Sequence, residues 1–189
     1  HHTRAAARAQ PNALLVADLP KGSYENAEIA VLNARRLVDA GAEAVKAEGG
    51  TSIRPQIEAI VAEGIPFLGH IGMLPQNIIV EGGYRIKGSD SAQREALFDD
   101  ARALAEAGAF SVVLELVNAM VAAEITAMLQ IPTIGIGSGS DCDGQILVTS
   151  DLLGTSPDFI PKHIQPEQLL RDRMVEMICA WKDSLNNNE

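Results

Sequence analysis

Ala44-Val45-Lys46-Ala47-Glu48-Gly49-Gly50 reads as a short strand that stops on two glycines. Side chains two apart on a strand share a face, so Lys46 and Glu48 point together at the strand's C-terminal end. One cation and one carboxylate therefore share the mouth of whatever this strand builds. Taken alone the pair fits a rim salt bridge. Other strand ends of the chain carry ionisable residues too, and these decide the reading.

Upstream, residues 13–17 form a continuous apolar run of the kind found in parallel strands buried on both faces, closing on Asp18-Leu19-Pro20. Residues 25–40 carry a helical apolar stripe ended by Gly41. Residues 1–10 read as the tail of a helix without a start signal, so the chain is expected to begin inside an element. Downstream, a helix around Ile53–Val61 precedes a strand at 65–69 that leads to His70, and a long loop follows at 82–88. A helix at 91–107, a strand at 111–116 bearing Glu115, a helix at 119–129 and a strand at 132–136 continue the alternation. Residues 146–148 read as a short helix with Asp143 as its N-cap and Gly154 as its stop, and 162–164 as a weak sixth strand. A C-terminal helix runs around Leu169, Met174, Ile178 and Trp181, with fraying expected over 186–189.

Repeated βα units without a linker mean a parallel sheet in one domain spanning residues 1–189, either doubly wound or closed into a (β/α)₈ TIM-type barrel. No G-x-G-x-x-G opens a helix after the first strand, which disfavours the dinucleotide-binding alternative. Asp18, Lys46, Glu48, His70 and Glu115 all fall at strand C-termini, the rim where barrel enzymes assemble their sites.

Composition narrows the partners. With 25 acidic against 15 basic residues and a formal charge of −10, nucleic acid and anionic membranes are repelled, leaving a small ligand held by a local cation or a metal. Cys142 and Cys179 lie far apart, which fits a reducing cytoplasm and neither a zinc site nor a disulfide framework. No apolar run approaches the ~18 residues of a membrane span.

Asp18 and Glu48 are hard oxygen donors suited to Mg²⁺, and Lys46 is a point charge for a substrate carboxylate. A metal holding a 2-oxo acid through its keto and carboxylate oxygens acidifies the adjacent C–H and stabilises the enolate. Glu115 is then the candidate general base, and His70 a hydrogen-bonded residue that supports the rim.

The segments Val16-Ala17-Asp18-Leu19-Pro20, Val45-Lys46-Ala47-Glu48-Gly49-Gly50, Gly69-His70-Ile71-Gly72 with Pro75-Gln76, Gly82-Gly83-Tyr84, Leu114-Glu115 and Ile134-Gly135-Ile136-Gly137 with Asp143-Gly144-Gln145 resemble ketopantoate hydroxymethyltransferase, in that family's order. The resemblance implies a (β/α)₈ barrel of the phosphoenolpyruvate mutase and isocitrate lyase type, and a cytoplasmic homo-oligomer, a decamer in the family. It implies transfer of a hydroxymethyl group from the co-substrate 5,10-methylenetetrahydrofolate to 3-methyl-2-oxobutanoate, giving 2-dehydropantoate for pantothenate and coenzyme A. By motif match Asp18 and Glu48 are metal residues, Asp18 and Lys46 contact the oxo acid, and Glu115 accepts the proton.

Departures accompany the matches. The family's Gly-Asp-Ser motif is absent, and residues 13–17 match its third strand, so the barrel is expected to lack its first two strands. Lys21 stands where the family has an apolar residue, and Leu116-Val117-Asn118 replaces its usual Cys-Val-Pro. Two alternatives stay open on the sequence: a catalytically impaired, truncated relative acting as a structural or interacting subunit, and another metal-dependent C–C bond enzyme on a 2-oxo acid.

Overall fold

The apolar runs become the strands of one sheet in the computed structural model, which describes residues 1–156, 161, 164 and 169–186. They are β1 (Val16–Asp18), β2 (Ala44–Lys46), β3 (Phe67–Gly72), β4 (Ser111–Glu115), β5 (Thr133–Ile136) and β6 (Gly144–Gln145). All pair in parallel and in chain order, β1 to β6. The helices are α1 (His2–Arg8), α2 (Ala27–Asp39), α3 (Arg54–Ala62), α4 (Ile78–Glu81), α5 (Ser91–Glu106), α6 (Ala119–Met128), α7 (Thr149–Leu152) and α8 (Leu170–Asn186). Side chains of Asn26, Asp90 and Asn118 cap α2, α5 and α6, each accepting from a backbone N–H of the first turn.

Alternation along each strand separates two faces. On one, Val45, Phe67, Val112 and Leu114 pack in a single core with Ala30 and Ala34 of α2, Ile57 and Ile60 of α3, Leu97 and Leu104 of α5, and Val121 and Ile125 of α6. Phe67 is fully buried there, which stabilises the fold by roughly 2–3 kcal/mol. On the other face Leu68, Val113 and Ile136 cluster with Val16, Phe110 and Ile134, and among the described residues of the first unit no helical residue joins them. A doubly wound sheet carries helices on both faces, whereas strands in sequence order with helices on one face make the wall of a barrel. The arrangement is a parallel α/β half-barrel with six strands among the described residues.

The chain divides into two compact units, residues 1–145 and 146–189. In the second, α7 and the start of α8 are tied by Leu170 N donating to Leu153 O and Arg171 N to Gly154 O.

Three local expectations change. Residues 146–148 are not helical; the helix starts at Thr149 with Val148 as its N-cap, although Gly154 still follows its end with φ +63°. Asp143 caps nothing there, because its Oδ2 accepts from Thr133 N at 2.8 Å. Among the described residues the last strand is Gly144–Gln145, where the sequence carries no apolar run. Of the predicted strand at 162–164 only Ile164 is described, and it is not in a strand; residues 162–163, like 187–189 of the predicted frayed end, lie outside the described residues.

Candidate active site

Register aligns the strand ends. Asp18 is level with Lys46, Lys46 with Leu68, His70 with Val113, and Gly72 with Glu115. Positions two apart share a face, so Asp18, Lys46, His70 and Glu115 project from four adjacent strands on the side opposite α2, α3, α5 and α6. Their side chains meet in a row. Lys46 Nζ lies 2.8 Å from Asp18 Oδ2 and 3.2 Å from His70 Nδ1. His70 Nε2 lies 3.1 Å from Glu115 Oε2, a charge-contact distance without hydrogen-bond alignment. His70 is buried, Lys46 and Glu115 are half-buried, and Asp18 faces solvent.

Lys46 thus pairs with Asp18, on the neighbouring strand, and not with Glu48, two residues on in sequence. β2 ends at Lys46, and Gly49 turns back to bridge His70, donating its N–H to the His70 carbonyl at 2.9 Å. Glu48 is consequently held by a different loop. Both of its oxygens accept from the single Gln76 N–H, at 3.1 and 3.2 Å. Gln76 Nε2 in turn donates to the Leu19 carbonyl at 3.2 Å, and Lys21 Nζ to Asn77 Oδ1 at 2.7 Å, so the loops after β1 and β3 are stitched over Glu48.

Burial pushes the Glu48 carboxyl above its ordinary value, and the Asp18 charge adds to that; the Gln76 N–H, His70 and Lys46 oppose it without cancelling it. Tyr24 donates its hydroxyl to the Glu48 carbonyl at 3.4 Å, and burial and the Glu48 charge push its phenol up as well. Two carboxylates that feel each other, each with free lone pairs, are a donor set that suits a hard divalent cation completed by water and substrate oxygens. Among the described residues no three His, Cys, Asp or Glu side chains converge on one point.

Four of the five residues expected at the rim, Asp18, Lys46, His70 and Glu115, stand in the row, and Glu48 lies beyond the end of β2; sequence reasoning gave Gln76 no role and overlooked Tyr24. The Pro75-Gln76 turn was a signal for the first; nothing marked Tyr24. Two surface clefts, of about 170 Å³ beside Gly49, Gly72 and α5 and about 420 Å³ beside α1 and α2, are lined by none of the five. The row itself, on the face opposite α2, α3, α5 and α6, is the better candidate because charge and strand ends converge on it.

The family profile described as ketopantoate hydroxymethyltransferase matches residues 1–189. The chain belongs to the ketopantoate hydroxymethyltransferase family. The 3-methyl-2-oxobutanoate hydroxymethyltransferase of Moorella thermoacetica is 47% identical over 191 residues, covering 100% of this chain and 71% of that protein. The enzyme of the same name from Ignicoccus hospitalis is 52% identical over 190 residues, with 100% and 72% covered. In fold the family member is similar to a solved structure assigned as a phosphonomutase from Burkholderia cenocepacia, with a TM-score of 0.55 and 17% identity over 70% of this chain and 57% of that one. At that identity the likeness speaks for the barrel-type fold alone. No described helix is long and apolar enough to cross a membrane.

Proposed function

We propose that this chain carries the hydroxymethyltransferase activity of its family: 5,10-methylenetetrahydrofolate, 3-methyl-2-oxobutanoate and one water give 2-dehydropantoate and tetrahydrofolate. The observation that carries this reading is the unbroken row Asp18–Lys46–His70–Glu115 across four adjacent strand ends, with Glu48 electrostatically coupled to it. Such a row can bind an anion, hold a cation and move a proton within one substrate's length.

In this reading Asp18 and Glu48 would hold Mg²⁺. Bound there, the ion supplies a Lewis acid that makes the C3–H of the oxo acid removable. Lys46 and Asp18 orient the oxo acid, the ammonium facing its carboxylate. Glu115 takes the C3 proton, leaving C3 to form the new bond to the one-carbon unit. His70, packed between Lys46 and Glu115, fixes the spacing of cation and base. The stitched loops over Glu48 keep bulk water from one side of the site.

The finer fold reading belongs here too. Residues 1–189 are read as one barrel domain, the six strands among the described residues belonging to an eight-stranded barrel. The family match over the whole chain and the 71% share of the Moorella relative support it. A cytoplasmic homo-oligomer, decameric as the resemblance implies, is part of the same proposal.

Calorimetric titration of 3-methyl-2-oxobutanoate with Mg²⁺ into the chain tests the reading. Binding that needs both ligands and is lost in Glu48→Ala is expected. Binding unchanged in that variant, or none in a demonstrably folded chain, overturns it.

A further inference from the structure

Ser138 has no role in the row, yet its side chain is 1% exposed and spent on another strand. It stands in the turn after β5. Its hydroxyl donates to the Leu114 carbonyl at 2.7 Å and accepts from the Val117 N–H at 2.9 Å. Those two partners bracket Glu115 and Leu116.

The bracketed segment is bent. Leu116 has φ +48°, in the left-handed region, which a leucine adopts only where its surroundings over-determine it. The neighbouring backbone groups show how it is held. Glu115 O accepts from Met73 N at 2.7 Å, Leu116 N donates to Ile136 O at 2.9 Å, and Leu116 O accepts from Lys87 N at 2.8 Å. The Lys87 backbone also straddles the bend, with Lys87 O accepting from Asn118 N at 2.8 Å; Ser138 is the side chain among these contacts, and it reaches both ends of the segment that holds Glu115. A buried serine that merely satisfied itself would need one nearby carbonyl. This one ties the residue before Glu115 to the residue after the strained one.

We infer that Ser138 is a positioning residue for Glu115, setting where the carboxylate stands relative to His70 and to C3 of the oxo acid. The inference rests on the reading of Glu115 as the base. A misplacement of about 1 Å in such a group costs on the order of 10²-fold in rate.

The test is deuterium incorporation at C3 of 3-methyl-2-oxobutanoate in D₂O with Mg²⁺, followed by proton NMR for wild type, Ser138→Ala and Ser138→Cys. Ser138→Ala should slow exchange at saturation by about ten- to a hundredfold with the half-saturating oxo acid concentration changed less than about twofold. Ser138→Cys, which keeps a weaker and longer donor, should lie between. Exchange at the wild-type rate in Ser138→Ala, or in Ser138→Cys should the alanine variant not fold, overturns the inference. So does a loss confined to half-saturation. If wild type itself exchanges no deuterium, the transferase reading fails. The crystal structure of the folded variant then decides the positioning role alone: a Glu115–His70 separation still at 3.1 Å overturns it, and a displaced carboxylate supports it.

Discussion

Lys46 and His70 meet end to end, Nζ to Nδ1, at 3.2 Å. An ammonium has donors only, so Nδ1 must accept, and a neutral His70 carries its proton on Nε2, the nitrogen that faces Glu115. One lysine thus fixes a tautomer as well as pairing with Asp18.

Replacing that lysine should therefore cost more than one contact. In Lys46→Met the Asp18 carboxylate loses its cation and His70 is free to flip. A loss of about 2 kcal/mol in transition-state binding, roughly thirtyfold in kcat/KM for the oxo acid, is expected from steady-state kinetics. Unchanged kcat/KM would remove Lys46 from the site.

Glu115→Gln keeps the shape of the row and removes the proposed base. Deuterium exchange at C3 should fall by about 10²–10⁴-fold, while calorimetry still detects the oxo acid binding with Mg²⁺. Loss of binding with exchange per bound ligand intact would assign Glu115 to binding instead.

The raised Glu48 carboxyl makes stability depend on pH in a stated direction. In the unfolded chain Glu48 loses its proton near 4.5; in the fold it holds it to a higher pH. Between those two values the folded state binds more protons, so stability present below the lower one is lost as pH rises through the upper one. Thermal melts from pH 4 to 8 should show this decline in wild type and not in Glu48→Gln. Added Mg²⁺ should recover stability at neutral pH in wild type alone. A parallel pH dependence in the variant would place the titration elsewhere.

Gly72 ends β3 with φ +97°, and a Cβ on it would run into the Glu115 carbonyl oxygen and the Val117 side chain. Gly72→Ala should cost about 1–3 kcal/mol in urea unfolding and should slow C3 exchange as well, since the obstructed atom belongs to Glu115. A variant of wild-type stability would contradict the close approach.

Asp143→Ala should loosen the outer strand. Thr133 is fully buried, and its N–H and hydroxyl both lie on Asp143 Oδ2, at 2.8 and 3.2 Å. Leaving that buried N–H unpaired costs roughly 1–3 kcal/mol, and hydrogen exchange at Gln145 should rise first. Uniform protection in β6 would place its anchor elsewhere.

What the sequence made legible is what local pattern controls. β1 to β5 lie in short apolar runs, α2, α3 and α5 carry a 3.6-residue stripe, and α6 follows as an apolar segment of helix formers, so type and order could be read. β6 could not, because Gly144 and Gln145 have no apolar signature; the strand exists through the Asp143–Thr133 contacts and Gln145 Nε2 donating to Gly139 O at 3.0 Å. Asp18, Lys46, His70 and Glu115 were legible from their places near strand ends, whereas Glu48 lies past the end of β2. Their pairing was not, since Lys46 has Glu48 as its neighbour in sequence and Asp18 as its neighbour by register. Ser138 was hidden for the same reason: within Gly-Ser-Gly it reads as a polar turn, and its partners Leu114 and Val117 lie on β4 and just past its end.

The register that aligns Asp18 with Lys46 and His70 with Val113 also works against mispairing. A slip by one residue of β2 would turn Lys46 into the apolar layer beneath the helices and strand Asp18 and His70 without it, an error priced in unpaired charge rather than in lost contact area. The row is in this sense a checksum on the sheet: a chain that has paired its strands wrongly cannot form it, so an intact row reports correct assembly.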